Sequence, residues 1–512
     1  MKKNVLALSI AAMVGGLGFA GAASAQSFQV NESGTGHILV VPYYTAQNGN
    51  MSVFHLTNTD TKNGKAVKVR FRGASNSDDV LDFQVFMSPG DVWTAAVTAD
   101  ADGLAQLVTA DNTCTLPAIG KNAPVKFVTD RLAKKNWTDA DKAQQTREGY
   151  VEILNMADIK RDTTIDADQS LYVATKHVNG VAPCTSAVLD ATLSLSGGQS
   201  TTELVAPTGQ LTGQWYAINV AQSTTFSGAT PAIVANGTPV NVFSPQKTGT
   251  ADLKTADPLM QGTSPAIEPQ HYDVPDLSTP YFTAAATATP ADAAAQAKAL
   301  TDAIGRLSVI NQYATAPAIS AKTDWVFSMP TRRYSVAANY AAGSSTAPSN
   351  SAAWNAATNA ALTTGATAAG SYRYFNQLVT GNVFTDNVTN TSVNSAGQIC
   401  VQAKSQTFYD REEMFKEDGA IFSPGTQSKT ELCGEVSVLS FAAAADKSAL
   451  GAEVARQNVN APYTNGWGVV NFKAATPVLG AAFLKLTNPQ AAAGTVGTYG
   501  ITWPHAYGRA AQ

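Results

Sequence analysis

The sequence predicts a mainly β protein: Ig-like or related β-sandwich regions, with a few short Ala-rich helices and long loops. Three observations carry that expectation. Apolar and polar residues alternate with period two through residues 36–110 and again near the C-terminus, as in strands with one face on a core. Asn-Gly and Pro-Gly pairs punctuate the runs and supply turn conformations. Charged residues make up only 14% of the 512-residue chain, against about 25% in an average globular protein, so its polarity comes from Ala, Thr, Ser, Asn and Gly backgrounds rather than from charge.

The chain opens with Lys2 and Lys3, an apolar run from Val5 to about Ala22, and Ala23-Ser24-Ala25, the three parts of a cleavable secretory signal. Residues 1–25 are therefore expected to be removed, leaving Gln26 first. A retained anchor fits less well, because four glycines interrupt the run, and no later stretch reaches the ~20 apolar residues of a spanning helix. The only G-x-G-x-x-G, at Gly16, Gly18 and Gly21, lies in this signal and carries no nucleotide-binding meaning.

Residues 26–245 are expected to form an N-terminal β-sandwich region. Val67, Val69 and Phe71 alternate with Lys68, Arg70 and Arg72, which predicts a half-exposed antiparallel strand. Asn63-Gly64 predicts a primed hairpin turn joining it to the strand Met51 to Asn58. Leu81, Phe83, Val85 and Met87 repeat the alternation, and Pro89-Gly90 turns the chain into Val92 to Val97, where Trp93 is available for packing. Thr138 to Arg147 reads as a short helix, Tyr150 to Met156 and Trp215 to Val220 as strands.

From Ala221 to Pro290 the chain carries nine of its 23 prolines, a composition that favours extended loops. Residues 246–320 accordingly read as a Pro/Thr-rich linker followed by an Ala-rich helix. Thr289 is placed to cap that helix and Pro290 to begin it, ahead of the stripe Ala293, Ala297, Leu300, Ile304 and Leu307. Residues 321–512 read as a C-terminal β-rich region. It holds a low-complexity insertion at about 335–400, where Arg373 and Asp386 are the only charges. Its strands are expected at Val436 to Phe441, Gly466 to Phe472, Val478 to Leu486 and Tyr499 to Trp503. No fixed-period repeat marks a solenoid or propeller. Separate sandwiches and one discontinuous domain both fit this pattern.

Four cysteines, Cys114, Cys184, Cys400 and Cys433, allow three connectivities. In an oxidising compartment the sequence-local pairs Cys114–Cys184 and Cys400–Cys433 close the shortest loops and are the expected disulfides. The residues name no catalytic site: there is no G-x-S-x-G, Walker loop or H-E-x-x-H. His37, His55, His177, His271 and His505 stand apart from one another, as packed or solvated histidines do. No cofactor is expected. Calcium is the one ion left open, through the acidic pairs Asp100/Asp102 and Asp166/Asp168, for which turn formation is the favoured reading. The formal charge of −4, spread without basic runs, argues against nucleic acid. Two charge clusters, Thr331-Arg332-Arg333-Tyr334 and Tyr409-Asp410-Arg411-Glu412-Glu413, suit contacts between subunits or with lipopolysaccharide phosphates. Intramolecular ion pairing is the favoured alternative.

Several segments together carry a resemblance: Val41-Pro42-Tyr43-Tyr44, Lys65 to Arg72, Ser88-Pro89-Gly90-Asp91-Val92-Trp93, Trp325 to Tyr334, and Tyr409 to Glu413. They resemble exported cell-surface proteins of proteobacteria, including surface-layer proteins of the nanopod type. The resemblance implies a structural protein that assembles with itself into a lattice or vesicle sheath on the outside of a Gram-negative cell, with lipopolysaccharide or outer-membrane vesicles as further partners and without catalysis. A low-charge polar surface limits repulsion between identical copies in such a lattice. An outer-membrane porin fits less well, since strand spacing is irregular and an Ala-rich helix interrupts the middle. The alternative is a secreted carbohydrate-binding adhesin or hydrolase, with Trp354 or Trp467 stacking on sugars.

Overall fold

The alternating run over residues 36–110 crosses between two sheets three times, and successive strands pair as hairpins only across 74–78 and 100–104. The computed structural model describes residues 26–129, 132, 137–195, 202–246, 275–284, 287–288, 290–338, 374–376, 391–393, 398–417, 431–441, 448–459 and 462–508. The expected signal peptide, His271, Thr289, Trp354 and most of the 335–400 insertion lie outside the described residues. The architecture is mainly β, in antiparallel sheets with few short helices.

The principal N-terminal strands are β1 (Ile38–Thr45), β2 (Asn50–Asn58), β3 (Gly64–Gly73), β4 (Asp79–Met87), β5 (Val92–Ala99), β6 (Glu148–Ile159), β7 (Leu211–Asn219), β8 (Thr224–Ala229) and β9 (Ala232–Asn236). One sheet runs β9, β1, β6, β3, β4, flanked by Ser27–Val30 and Cys114–Leu116. The other runs β8, β7, β2, β5, continued by Ala105–Val108 and Val125–Lys126. Phe71 of β3 meets Phe54 of β2 with ring centroids 5.5 Å apart, and Phe83 meets Trp93 at 5.6 Å, so the two sheets face each other as a sandwich.

The hairpin expected at Asn63-Gly64 is therefore corrected: β2 and β3 belong to different sheets. Asp60 Oδ1 accepts the N–H groups of Lys62 and Asn63, curling the loop so that it carries the chain across the sandwich. The half-exposed sheet is corrected as well. Val67, Val69 and Phe71 line the sandwich core as expected, but Lys68, Arg70 and Arg72 on the opposite face are also buried. That face is roofed by later chain. Gln246 takes a hydrogen bond from Lys68, Val242 N–H bonds Met156 O, Tyr281 O–H bonds Asn155 O, and Tyr150 O–H bonds Pro330 O. Residues 224–246 and 275–284, in the stretch expected as linker, thus provide β8, β9 and part of the roof. Proline suits these positions, since a covering segment needs few ladder donors.

The helix α1 (Asp139–Thr146) has a full capping box, Thr138 and Asp141 each satisfying the other's backbone. In α2 (Pro290–Ile304) the stripe Ala293, Ala297, Leu300 and Ile304 is buried as its spacing predicts. Leu307, expected on the same stripe, lies instead in the next strand, which begins at Gly305.

The C-terminal strands are β10 (Gly305–Ala314), β11 (Lys322–Ser328), β12 (Ile399–Tyr409), β13 (Val436–Phe441), β14 (Asn465–Pro477), β15 (Ala481–Ala492) and β16 (Thr495–Pro504). One sheet contains β12, β14 and β10; the other runs from Arg456–Val459 through β13, β11, β15 and β16. Tyr313 and Phe441 stack between them with centroids 5.0 Å apart. The two β parts share one core among the described residues. Val326, Val436, Val438 and Phe483 join the N-terminal apolar cluster, with Phe483 5.9 Å from Trp215 and 5.7 Å from Phe226. Ala74 O also accepts Val436 N–H.

Candidate functional site

The cysteines pair as their spacing suggests. Cys114 bonds Cys184 and Cys400 bonds Cys433, with Cα separations of 5.3 and 4.0 Å. Glu431 lies close to both sulfurs of the second pair, but sulfurs joined in a disulfide offer no thiolate to a metal. Two disulfides suit an oxidising, non-cytoplasmic environment, and among the described residues no helix is long and apolar enough to cross a membrane.

The described histidines occupy structural positions. His37 accepts Ala235 N–H at its Nδ1, and His505 sits between Asn311 and Val326 O; burial lowers both to a pKa of about 4. His55 stacks on Tyr216. His177 lies 2.8 Å from Ser88 Oγ and 3.5 Å from Asp91 Oδ2. Both partners reach the same nitrogen, Nδ1, so the ring cannot relay a proton between them as a triad requires. Asp100 and Asp102 flank Lys126, 2.7 and 3.6 Å away, and Asp100 Oδ1 accepts the N–H groups of Asp102 and Leu104. Asp166 and Asp168 are exposed. These placements match turn formation, and calcium binding gains no support from them.

The cluster Thr331 to Tyr334 is interior. Arg332 donates to Ile399 O at 2.7 Å and Gly434 O at 2.8 Å, and Arg333 is equally buried. Together with β3 and β6 they form a buried charged layer. Arg72 pairs with Glu152 at 2.9 Å, Arg70 with Asp79 at 3.5 Å, and Lys68 with Asp82; on the other face of β3, Lys65 pairs with Asp158 at 2.6 Å. Register brings the partners together: Asp158 lies directly across from Lys65, while Glu152 and Asp82, both across from Arg70, pair diagonally with Arg72 and Lys68. Burial raises the Glu152 carboxyl despite Arg72 beside it, and burial lowers Arg332 to about 10 against the pull of Glu435. These arginines are therefore spent within the chain and unavailable to lipopolysaccharide phosphates.

Two clefts remain. The first, about 480 Å³, lies where Asn48, Asn50 and Asn219 face residues 448–456. Its amides already bridge the two β parts: Asn48 Nδ2 donates to Gly451 O at 2.7 Å and to Glu453 at 3.0 Å, and Asn50 Nδ2 to Leu450 O at 2.7 Å. Beneath it the buried Glu148 carboxylate accepts Tyr43 O–H at 2.7 Å and the N–H groups of Glu453 and Val454 at 2.9 and 2.6 Å. This cleft is a joint.

The second cleft, about 470 Å³, is lined by Tyr409, Trp467 and Trp503 together with Gln312, Asp410, Arg411, Glu413 and Asn465. Tyr409 and Trp467 are cross-strand partners on β12 and β14, and their rings stack 4.2 Å apart at an angle of 7°. Glycines set this geometry. A Cβ on Gly466 would lie 1.8 Å from Tyr409 O, and one on Gly468 2.5 Å from the Phe408 ring. Trp467 remains 39% exposed. Asp410 Oδ1 accepts the N–H groups of Glu412 and Met414, fixing the turn that carries Arg411 and Glu413. Among the described residues, no hydrogen bond or ion pair engages the side chains of Gln312, Arg411, Glu413 or Asn465. The structure thus joins Trp467 to the cluster Tyr409 to Glu413, which the sequence presents as unrelated features. Gln312, Asn465 and Trp503 come from distant strands, and only the Gly-Trp-Gly run at 466–468 signals locally that a tryptophan is displayed there. No protein-family model, curated protein or solved structure matches this chain.

Proposed function

We propose that the protein is a structural, non-catalytic component of the cell exterior that assembles with itself into a surface layer or vesicle sheath, in contact with lipopolysaccharide or outer-membrane vesicles. The observation that carries this reading is the ribbon formed by β15 and β16. Beyond Leu486 both strands are largely exposed, with Val496 at 61% and Tyr499 at 53%. No charged residue occurs from Leu486 to Pro504, and β16 is the last strand of its sheet. Proteins that remain monomeric protect such edges with lysines, prolines or bulges. Here Pro489 and the register shift between Asn488 and Ala492 lie on β15, one strand in, while β16 carries no charge, packs on Thr225 around Gly500 and has no proline before Pro504. An uncharged, twisted edge offers backbone donors and acceptors to the edge of a second copy, and an association that does not close on itself extends into a lattice. The disulfides and the family resemblance support the same setting.

Negative-stain microscopy and sedimentation of the purified chain test it. Arrays, tubes or large oligomers are expected from the wild type, and dispersed monomers from a Val496→Lys/Tyr499→Lys double variant. Wild-type protein that stays monomeric at high concentration, or arrays unaltered in the double variant, would sink the proposal.

A further inference from the structure

We infer that the Tyr409–Trp467 ledge is a binding site for a neutral glycan, a chain of hexopyranose units. A pyranose ring presents two kinds of surface: a face of C–H groups that packs on an aromatic ring, and a rim of hydroxyls that needs donors and acceptors. The second cleft offers both. Trp467 is partly exposed and held on a regular strand, with Tyr409 stacked against it and Trp503 in the same cleft, so the platform is rigid before any ligand arrives. Around it stand two amides, Gln312 directly across from Trp467 on β10 and Asn465 two residues before it on β14, and the Arg411 and Glu413 side chains, none of them engaged elsewhere among the described residues.

The contrast with the joint cleft is chemical. There the amides are consumed by contacts that hold the fold; here polar groups are displayed with nothing to hold. At about 470 Å³ the cleft falls within the roughly 300–1,000 Å³ of small-ligand sites. Asp410 and Glu413 outnumber Arg411 in the lining, which favours an uncharged ligand over a phosphorylated or uronic one. Ser405, Thr407, Asn471 and Gln312 occupy neighbouring positions in the same sheet and add further hydrogen-bonding groups of the kind sugar hydroxyls use. Trp503 belongs to β16 but pairs with Ala482 at the base of the sheet, whereas the exposed end of the ribbon is the Thr487–Thr498 part, so one copy can hold a glycan while that end engages another copy.

The test uses the full chain, with tryptophan fluorescence and calorimetry against three probes: maltohexaose, cellohexaose, and the lipid-free polysaccharide released from lipopolysaccharide by mild acid. Saturable binding of at least one probe is expected. Trp467→Ala should weaken it roughly tenfold or more, Trp467→Phe should retain most of it, and the exposed-residue variant Gln312→Ala should weaken it without altering the thermal melt. A hexasaccharide response identifies free glycans as the ligand, and a response confined to the third probe identifies the cell's own surface polysaccharide. No saturable binding to any of the three, or binding unchanged in both Trp467→Ala and Gln312→Ala, would overturn the assignment. Assembly of these variants should be unaffected, so failure here leaves the self-assembly proposal standing.

Discussion

Replacing Glu435 by Gln probes the buried charged layer at its most informative point. The Glu435 side chain is fully buried and faces Arg332 and Arg333, with Glu152 nearby. Burial raises its pKa from 4.5 to about 7 in spite of the two arginines. A carboxyl raised in this way binds its proton more readily in the folded than in the unfolded chain. Its favourable contribution is complete below about pH 4.5 and is lost as the pH rises through about 7. At ~1.4 kcal/mol per unit, the ionised group costs the fold about 3 kcal/mol at pH 8. Gln is neutral throughout and close in shape. Glu435→Gln should therefore be more stable than the wild type by about 3 kcal/mol at pH 8, with the gap falling below ~1 kcal/mol at pH 5. His37 and His505, lowered to about 4 by burial, cost stability as the pH drops below 6.5. Both proteins carry them, so they cancel in the difference. Urea denaturation of the pair at pH 8, 6.5 and 5 measures that difference directly. A variant less stable than the wild type at pH 8, or a gap that does not move with pH, would show that the arginines outweigh burial and refute the reasoning.

Other outcomes are equally open to measurement. Reducing the disulfides, which span 70 and 33 residues, should lower unfolding stability by about 4 kcal/mol for each bridge on chain-entropy grounds. An unchanged denaturation midpoint under reductant would count against that. Glu148→Ala removes the acceptor for Tyr43 and for the N–H groups of Glu453 and Val454. A loss of about 3 kcal/mol is expected, and limited proteolysis should show new cleavage within residues 448–459 before the rest of the chain opens.

Much of the strand content was legible because period two is a local signal: β13 coincides with the expected Val436 to Phe441, and β6 and β14 contain their expected cores. Helix α2 was legible from Pro290 and its apolar stripe. What was not legible is which sheet each strand joins. Alternation in β3 places Lys68, Arg70 and Arg72 on one face, but whether that face meets water depends on Gln246, Asp276 and Pro330, far along the chain. Charge reads as exposure until its partners are known, and here Asp82, Glu152 and Asp158 arrive through cross-strand register. The ledge divides in the same way. Trp467 and the Tyr409 cluster each stood out in the sequence, while their meeting is a matter of β12 pairing with β14.

The shared core also bears on how the chain reaches its native state. Both N-terminal sheets draw all their strands from residues 27–236, yet Phe483, from near the other end of the chain, joins the apolar cluster that begins at Phe28, so that cluster is complete only when nearly the whole polypeptide is available. Contacts of such sequence separation form slowly. An N-terminal half that folds ahead of the rest would therefore leave apolar surface uncovered where Val326, Val436, Val438 and Phe483 later pack.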